Sequence, residues 1–347
     1  MGILYRPRVL IAAVTTTAAV LLITSCGRSN SSTPSSTTPG ATTAHSAASS
    51  TASPNAPASS SGSSTPAVAA HAIPVGSSSQ TISVGGTKRS FILYRPANLP
   101  AAAPLVVMMH GGFGTAANAE KDYGWDAQAD SGGFIVAYPD GLNNAWNTGG
   151  GCCGQSGRKN VDDVGFITQM VAQIERDVPI DHSRVYATGI SNGGIMAYTL
   201  ACKTTIFAAI GPDSATQLGD CTSPNPISLI HIHGDADKTI LYNGGESATV
   251  AHINGPAIPA LNATWRGIDN CPAPSIKVAP PVTTSIANCP EGRTVELITI
   301  AGAGHQWPGA TKDKAAQKRL GTDPPSTALD ATKAIWQFFS QHSKPSN

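Results

Sequence analysis

A serine flanked by glycines stands where an apolar run gives way to a helical pattern. Residues 189–193 read Gly-Ile-Ser-Asn-Gly and follow the apolar run 185–188. A strand that turns sharply into a helix projects one side chain from a strained backbone, which only small neighbours tolerate. The N–H groups at the start of that helix point at the same place and favour negative charge there. The pattern therefore predicts that Ser191 is a nucleophile at the carboxyl end of a strand.

A serine hydroxyl is a poor nucleophile unless a base removes its proton, so a histidine and a carboxylate must lie further along the chain. His305 stands in a glycine-rich loop after the apolar run 295–300. Asp235 and Asp237 follow the apolar run 227–232. The chain order serine, acid, histidine is that of α/β-hydrolases. We predict that His305 is the general base and then the general acid, and the residues leave Asp235 and Asp237 both open as its carboxylate partner.

An acyl transfer also needs two N–H donors for the oxyanion that develops on the substrate. The segment His110-Gly111-Gly112 follows the apolar run 105–109 and is a candidate loop. The backbone N–H of Gly112 is the expected donor, together with that of Asn192, the residue after the nucleophile. The side chain of His110 is expected only to hold this loop through backbone hydrogen bonds.

Two further histidines, His231 and His233, alternate along one strand and share a face of it. With Asp235 they imitate a metal site, but no other ligand cluster accompanies them in the sequence. We therefore expect neither a metal nor an organic cofactor.

Strand-like and helix-like patterns alternate after residue 80, which is typical of a sheet covered by helices. A glycine pair at residues 85–86 separates the first two strand patterns and predicts an antiparallel hairpin. The fold expected is therefore α/β, with a mostly parallel, doubly wound sheet and an antiparallel N-terminal hairpin. Strands are predicted at residues 81–84, 89–94, 105–109, 134–138, 185–188, 227–232 and 295–300, and helices beginning near Ala116, Asp162, Ser191 and Asp330.

The amino terminus has the composition of an export signal followed by a spacer. Arg6 and Arg8 precede an apolar run at residues 9–23. The run ends at Cys26, and residues 23–27 resemble the bacterial lipoprotein signal, which implies a signal peptide over 1–25 and lipidation of Cys26. The alternatives are ordinary secretion and a permanent anchor helix, although the run is shorter than the ~20 apolar residues of a membrane span. Residues 26–72 are rich in Ser, Thr, Pro and Ala and predict a disordered spacer, which leaves 73–347 as one catalytic domain.

Charge and cysteine content narrow the possible partners. A formal net charge of +1 over 347 residues argues against an electrostatic nucleic-acid binder. Of the seven cysteines, six remain once Cys26 is set aside, an even number that suits an oxidising compartment. Proximity pairs Cys202 with Cys221 and Cys271 with Cys289. It leaves the neighbours Cys152 and Cys153 to each other, in a strained ring.

Together these motifs resemble the bacterial lipoprotein esterases of the LpqC type, within the polyhydroxybutyrate depolymerase and feruloyl esterase group of α/β-hydrolases. The resemblance runs from about residue 81 to 339. It rests on the motifs at residues 110–112 (HGG), 138–141 (YPDG), 146–147 (WN), 151–154 (GCCG), 161–166 (VDDVGF), 189–193 (GISNG) and 304–309 (GHQWPG). It implies that Asp237 is the triad acid. The chain departs from the usual pattern at Asp235 and Ala303, and the first departure places a second carboxylate beside the acid.

Trp146 and Trp307 flank the site in sequence and are expected to line the acyl pocket, with packing in the core as the alternative. The resemblance implies an extracytoplasmic, lipid-anchored serine esterase acting on hydroxyalkanoate, feruloyl, acetyl or other short-chain esters through an acyl-enzyme. We expect a monomer. Two alternatives stay open. One is acyl transfer to a cell-envelope sugar on the same fold, and the other is a lipid-anchored binding protein without turnover.

Overall fold

The computed structural model describes residues 73–150, 152–249, 251–311, 317–318 and 321–345. The predicted signal peptide, the spacer and Cys26 lie outside these residues. None of the described helices is both long enough and apolar enough to cross a membrane. The strands are β1 Gly76–Val84, β2 Thr87–Arg95, β3 Ala103–Met109, β4 Ile135–Pro139, β5 Ile180–Ile190, β6 Ala209–Asp213, β7 Ser228–Gly234, β8 Gly245–Glu246, β9 Asn254–Gly255, β10 Ser275–Ala279, β11 Val282–Asn288 and β12 Thr294–Ile300. The helices are α1 Ala116–Asp122, α2 Trp125–Gly132, α3 Gly154–Arg158, α4 Asp163–Asp177, α5 Asn192–Lys203, α6 Ile258–Ile268 and α7 Ala331–Phe339.

Ten of the strands form one sheet in the order β1-β2-β4-β3-β5-β6-β7-β12-β11-β10. The six strands from β4 to β12 in this order are parallel. The predicted hairpin of β1 and β2 is antiparallel and turns at Gly85 and Gly86, whose positive φ angles suit a two-residue turn. The mostly parallel, doubly wound sheet with an N-terminal hairpin is confirmed.

Helices cover both faces of the sheet and bury two large apolar clusters. One cluster lies under α4, α5 and α6 and includes Phe166, Tyr198 and Trp265. The other lies under α1, α2 and α7 and includes Trp125 and Phe339. Burial on both faces explains why the parallel strands are continuous apolar runs rather than alternating ones.

The prediction omitted three strands of the large sheet. Strand β6 contains Gly211 and Pro212, residues that usually argue against a central strand. Gly211 is needed because α7 packs closely there, and a Cβ at this position would lie 2.7 Å from Cγ2 of Ile335. Strands β10 and β11 form a second antiparallel hairpin at the opposite edge. Neither strand carries a buried-strand pattern, because β10 is exposed along its whole length and most of β11 is only partly buried.

Candidate active site

Ser191 occupies the sharp turn between β5 and α5. Its φ of 55° and ψ of −123° lie outside the usual regions for a residue with a side chain, so the turn is strained. The turn packs tightly against β3 because glycines stand two residues before and after the serine: a Cβ on Gly193 would lie 2.3 Å from the carbonyl oxygen of Met109. The Ser191 N–H donates to the carbonyl of Asp213 on β6 at 3.0 Å. These contacts hold the serine at the carboxyl end of the parallel strands.

Asp237 lies in the loop after β7, and its carboxylate has a full set of donors. Oδ1 accepts from the backbone N–H groups of Thr239 at 2.7 Å and Ile240 at 2.9 Å. Oδ2 lies 2.8 Å from Nδ1 of His305. Burial alone would raise the pKa of Asp237, but the facing His305 and these hydrogen bonds hold it below the ordinary value. The carboxylate is therefore ionised at neutral pH.

Because a carboxylate only accepts hydrogen bonds, His305 must carry its proton on Nδ1, which leaves the Nε2 lone pair free to act as a base. The loop that carries His305 is pinned by Asp323. The His305 N–H donates to Oδ2 of Asp323 at 2.7 Å, and the Asp323 N–H donates to the His305 carbonyl at 2.6 Å. A Cβ on Gly304 would lie 2.1 Å from Asp323 Oδ2, so this approach requires glycine. Asp323 was not singled out from the sequence, since it stands 18 residues beyond the histidine.

Asp235, the other carboxylate considered from the sequence, faces away from this pair. It is exposed, and its Oδ1 accepts from the N–H of Gly302 at 2.7 Å. The structure therefore pairs Asp237, and not Asp235, with the histidine.

Ser191 and His305 line the same narrow cleft. The cleft is also lined by His110, Gly111, Gly112, Gly114, Asn118, Tyr123, Ile190 and Thr322. The serine comes from the end of β5 and the histidine from the loop after β12, so the fold brings together two residues that are remote in sequence. Tyr123 and Asn118 are additional lining residues, and the sequence carried no motif that marked them.

The backbone N–H groups of Gly112 and Asn192 are both available at this cleft. Asn192 is the first residue of α5, so its N–H has no partner within the helix. Within the described part of the chain, no acceptor takes a hydrogen bond from either N–H group. A Cβ on Gly112 would lie 3.9 Å from Cβ of Asn192, so the two residues are neighbours. Two neighbouring N–H groups without protein partners are an arrangement that can donate to a developing oxyanion.

His110 braces this loop, as expected. Its Nε2 accepts from the N–H of Gly141 at 3.0 Å, so Nδ1 carries the hydrogen and donates to the carbonyl of Gly111 at 2.8 Å. Burial lowers the pKa of His110, which favours this neutral form. With both ring nitrogens bonded to backbone groups, His110 supports the loop and has no lone pair for the substrate.

The expectation that Trp146 and Trp307 line the acyl pocket needs correction, because both are almost completely buried and neither lines the cleft. The indole N–H of Trp146 donates to the His110 carbonyl at 2.8 Å, and its backbone N–H donates to Oδ1 of Asn192 at 2.7 Å. Trp307 packs between Tyr123 and Trp125. Both tryptophans support the loops from behind, which is the core-packing alternative.

All three cysteine pairings predicted by proximity are present as disulfides. Cys202 bonds to Cys221, Cys271 to Cys289, and Cys152 to its neighbour Cys153. Cys152 packs in a small apolar cluster with Ile195, on the helix that follows Ser191, and Ile240, whose N–H donates to Asp237. The adjacent pair therefore supports the surroundings of the site.

The histidines His231 and His233 do not form a metal site with Asp235. Their four ring nitrogens are all within hydrogen-bond distance of protein groups. Within the described ranges, no group of three or more His, Cys, Asp or Glu residues is arranged to hold a metal ion.

The largely parallel sheet, covered by helices on both faces and carrying a serine in a strained turn after a central strand, has the α/β-hydrolase fold. A solved structure with the same fold is the acetyl xylan esterase from Aspergillus awamori, which aligns with a TM-score of 0.52 and 18% identity over 70% of this chain and 99% of that one.

Sequence comparison gives a narrower relationship. Residues 89–259 match the family described as Esterase PHB depolymerase. Feruloyl esterase B from Piromyces equi is 31% identical over 221 residues, which are 59% of this chain and 40% of that protein. The putative esterase NocK from Nocardia uniformis subsp. tsuyamanensis is 29% identical over 260 residues, covering 68% of this chain and 75% of that protein. The match thus spans less than half the length of the feruloyl esterase, and the similarities together support a carboxylic ester hydrolase.

Proposed function

We propose that this protein is a serine carboxylesterase in which Ser191, His305 and Asp237 form the catalytic triad. The observation that carries the proposal is the geometry of His305, which contacts the buried Asp237 carboxylate through Nδ1 and lines one cleft with Ser191. The similarity to esterases supports the same chemistry.

In this mechanism the Ser191 hydroxyl attacks the carbonyl carbon of the ester while Nε2 of His305 takes its proton. The imidazolium that forms is stabilised by the ionised Asp237, which does not itself take up a proton. The carbonyl π electrons move onto oxygen, and the backbone N–H groups of Gly112 and Asn192 donate to that oxyanion. When the tetrahedral intermediate collapses, the ester C–O bond breaks and His305 returns the proton to the departing alcohol.

Water completes the cycle by the same steps. His305 removes a proton from water as its oxygen attacks the acyl-enzyme carbonyl, and the Ser191 hydroxyl is restored when the carboxylic acid leaves. Every proton moves between substrate, water, serine and histidine, so the proposed reaction needs no cofactor.

The proposed substrates are carboxylic esters of the feruloyl, acetyl, hydroxyalkanoate or other short-chain type. The names of the similar proteins support this range, since they include a feruloyl esterase and an acetyl xylan esterase.

We further propose that the chain is a monomeric lipoprotein esterase of the LpqC type. In this proposal Cys26 carries the lipid and residues 27–72 hold the catalytic domain outside the cytoplasm, close to a membrane. The disulfides of the catalytic domain suit an oxidising compartment.

The activity is tested with the purified full chain and its Ser191→Ala variant on p-nitrophenyl acetate, p-nitrophenyl butyrate, methyl ferulate and a hydroxybutyrate ester. We expect turnover by the wild type and its loss in the variant. The matched control is Ser275→Ala, which removes a hydroxyl on the remote edge strand β10 and should leave turnover unchanged. Absence of wild-type turnover above Ser191→Ala on every ester would favour the binding protein, and a sugar ester formed with a sugar acceptor present would favour acyl transfer.

The lipid anchor is tested separately by expressing the wild type and Cys26→Ser in a bacterium that processes lipoproteins. The wild type should incorporate labelled palmitate and fractionate with membranes, and Cys26→Ser should do neither. Labelling of the variant would remove Cys26 from the proposal without affecting the esterase assignment.

A further inference from the structure

A chain of three side chains runs through the core behind the proposed triad. The hydroxyl of Tyr198 on α5 lies 2.7 Å from Nδ1 of His231 on β7. Nε2 of His231 lies 3.0 Å from Nδ1 of His233. Nε2 of His233 then lies 2.9 Å from the carbonyl oxygen of Ile240 and 3.4 Å from Oδ2 of Asp237. Tyr198, His231 and His233 have no exposed surface, so water does not compete for these bonds.

The end of the chain determines where its hydrogens lie. The carbonyl of Ile240 only accepts, so Nε2 of His233 must carry a hydrogen. Burial lowers the pKa of both His233 and His231, which favours neutral rings with a single hydrogen each. Nδ1 of His233 is then an acceptor for the Nε2–H of His231, and Nδ1 of His231 is an acceptor for the Tyr198 hydroxyl. All donors therefore point from α5 towards the loop that carries Asp237.

We propose that Tyr198, His231 and His233 are positioning residues that hold Asp237 in register with His305, an inference that rests on the proposed esterase function. His233 acts on the acid loop at two points. The Nε2–H of His233 bonds to the carbonyl of Ile240, and the backbone N–H of Ile240 donates to Oδ1 of Asp237 at 2.9 Å. The Nε2–H of His233 also faces Oδ2 of Asp237 at 3.4 Å. With the hydrogen of His233 on Nδ1 instead, its Nε2 lone pair would face the Ile240 carbonyl and Oδ2 of Asp237 and would be repelled by both oxygens. Tyr198 and His231 disfavour that tautomer, because the Nε2–H of His231 donates to Nδ1 of His233.

The hydrogen-bonded series Tyr198–His231–His233 also connects the helix after Ser191 to the loop of Asp237. Tyr198 belongs to α5, the helix that begins directly after Ser191, and the chain ends at Asp237, which contacts His305. The titratable groups near His233 are His231, Tyr242, Asp237 and His305. Tyr198 reaches His233 only through His231. Of these, Asp237 is the carboxylate whose hydrogen bonding changes when His233 is altered.

The test compares His233→Leu with His233→Gln in kcat and KM on p-nitrophenyl acetate across pH. Leucine removes the Nε2–H donor that faces the Asp237 carboxylate. We expect kcat to fall about tenfold, as for one lost hydrogen bond to a charged group. KM should be nearly unchanged, because His233 does not contact the substrate. The acid limb of the pH profile should also move to higher pH, because a carboxylate without this donor holds the imidazolium more strongly. Glutamine places an N–H near the position of Nε2 and should bring kcat back to within about twofold of the wild type.

Tyr198→Phe provides a second test that keeps the ring and its packing. Its matched control is Tyr186→Phe, since the hydroxyl of Tyr186 also donates to a buried acceptor, the carbonyl of His342 at 2.7 Å, but away from the acid loop. Both variants should lower the midpoint of urea unfolding by a similar amount, since each loses one buried hydrogen bond. Only Tyr198→Phe should lower kcat, by about threefold, because its hydroxyl supports His233 through His231 and thereby the position of Asp237.

Nitrogen-15 NMR of the histidine rings in the wild type gives a readout that does not depend on activity. We expect His231 and His233 as Nε2–H tautomers and His110 and His305 as Nδ1–H tautomers. In Tyr198→Phe the Nδ1 signal of His231 should shift because its lone pair loses the hydroxyl donor, while Tyr186→Phe should leave that signal unchanged.

The outcomes separate the two proposals. If wild-type turnover disappears in Ser191→Ala but His233→Leu and Tyr198→Phe keep the wild-type kcat and pH profile, the positioning role is wrong and the esterase stands. An Nδ1–H signal from His233 would also overturn it. If the wild type hydrolyses no ester but the tautomers are as stated, the esterase proposal fails. If His233→Leu does not fold, Tyr198→Phe and the tautomers decide.

Discussion

Nδ1 of His305 lies 2.8 Å from Oδ2 of Asp237, although 68 residues separate them in the chain. Both side chains are nearly inaccessible to solvent, and the carboxylate is also held by two backbone N–H groups. In such a dry environment the contact sets both the tautomer and the orientation of the imidazole. The second carboxylate of the same loop, that of Asp235, is exposed and makes no such contact.

Replacement of the two aspartates should therefore have very different effects. Asp237→Asn keeps the shape but presents an amide where a charge is needed, so kcat on p-nitrophenyl acetate should fall by about 10³ to 10⁴. Asp235→Asn, the matched control, should stay within about twofold of the wild type because surface substitutions remote from the reacting atoms have small effects. The reverse ranking would transfer the acid role to Asp235.

Ser191 and His305 should behave as one unit in turnover. We expect Ser191→Ala and His305→Ala each to remove most of kcat, and the double variant to be no worse than either single one, because one group is useless without the other. Steady-state kinetics on p-nitrophenyl butyrate measure this, with circular dichroism to confirm folding. Near-normal turnover by His305→Ala would exclude this histidine as the base.

A buried ion pair should matter more for stability than an exposed one. Arg89 donates to Oδ1 of Asp163 at 2.6 Å with almost no exposure of either side chain, and the guanidinium also lies over the ring of Phe166. Arg89→Met leaves the carboxylate without its charge partner and should lower the free energy of unfolding by about 3 to 5 kcal/mol.

The matched control is Arg184→Met, which breaks the partly exposed pair with Asp181 and should cost less than ~1 kcal/mol. Urea unfolding monitored by tryptophan fluorescence gives both values. Equal losses from the two variants would contradict the assignment of Arg89 as a structural ion-pair partner in the core.

Glu296 on β12 should make stability depend on pH. Burial raises its pKa from 4.5 to about 7, so between these values the folded protein holds a proton that the unfolded chain has released. This group therefore lowers stability as pH rises from 4.5 to 7 and has its full destabilising effect above 7. Glu296→Gln should raise the free energy of unfolding by about 1 to 2 kcal/mol at pH 8, allowing for solvent screening, and by nearly nothing at pH 4.5.

Denaturant unfolding of the wild type and Glu296→Gln at pH 8 and 4.5 measures the difference. The control is Glu291→Gln, since Glu291 is exposed and its change should be small at both values. A Glu296→Gln gain of the same size at pH 4.5 and 8 would show that burial of the charge is not the cause.

Local signals in the sequence were enough for the class of fold and for the prediction that Ser191 and His305 belong to one site, while the resemblance added Asp237. Ser191 was identified because glycine spacing and the strand-to-helix change are local properties, readable over a few residues. The prediction for His305 rests on its position after the last parallel strand. The four predicted helices begin within one residue of Ala116, Asp162, Ser191 and Asp330, while α2, α3 and α6 were not predicted.

Other features depend on contacts between remote segments, and local patterns do not reveal them. Strand β6 has too many small residues to show an apolar run, since α7 packs directly on Gly211. Trp146 and Trp307 lie near the site in sequence, yet their side chains point into the core behind it.

The sequence alone determined the alternation of strands and helices, and the order in which Ser191, the two aspartates and His305 follow their strands. Only the tertiary structure showed that His305 contacts Asp237, as the resemblance implied, and that Gly112 and Asn192 are neighbours. It alone revealed the hydrogen-bonded series from Tyr198 to His233. The physical reason is that hydrogen bonds form over about 3 Å in space between side chains that the sequence separates by tens of residues.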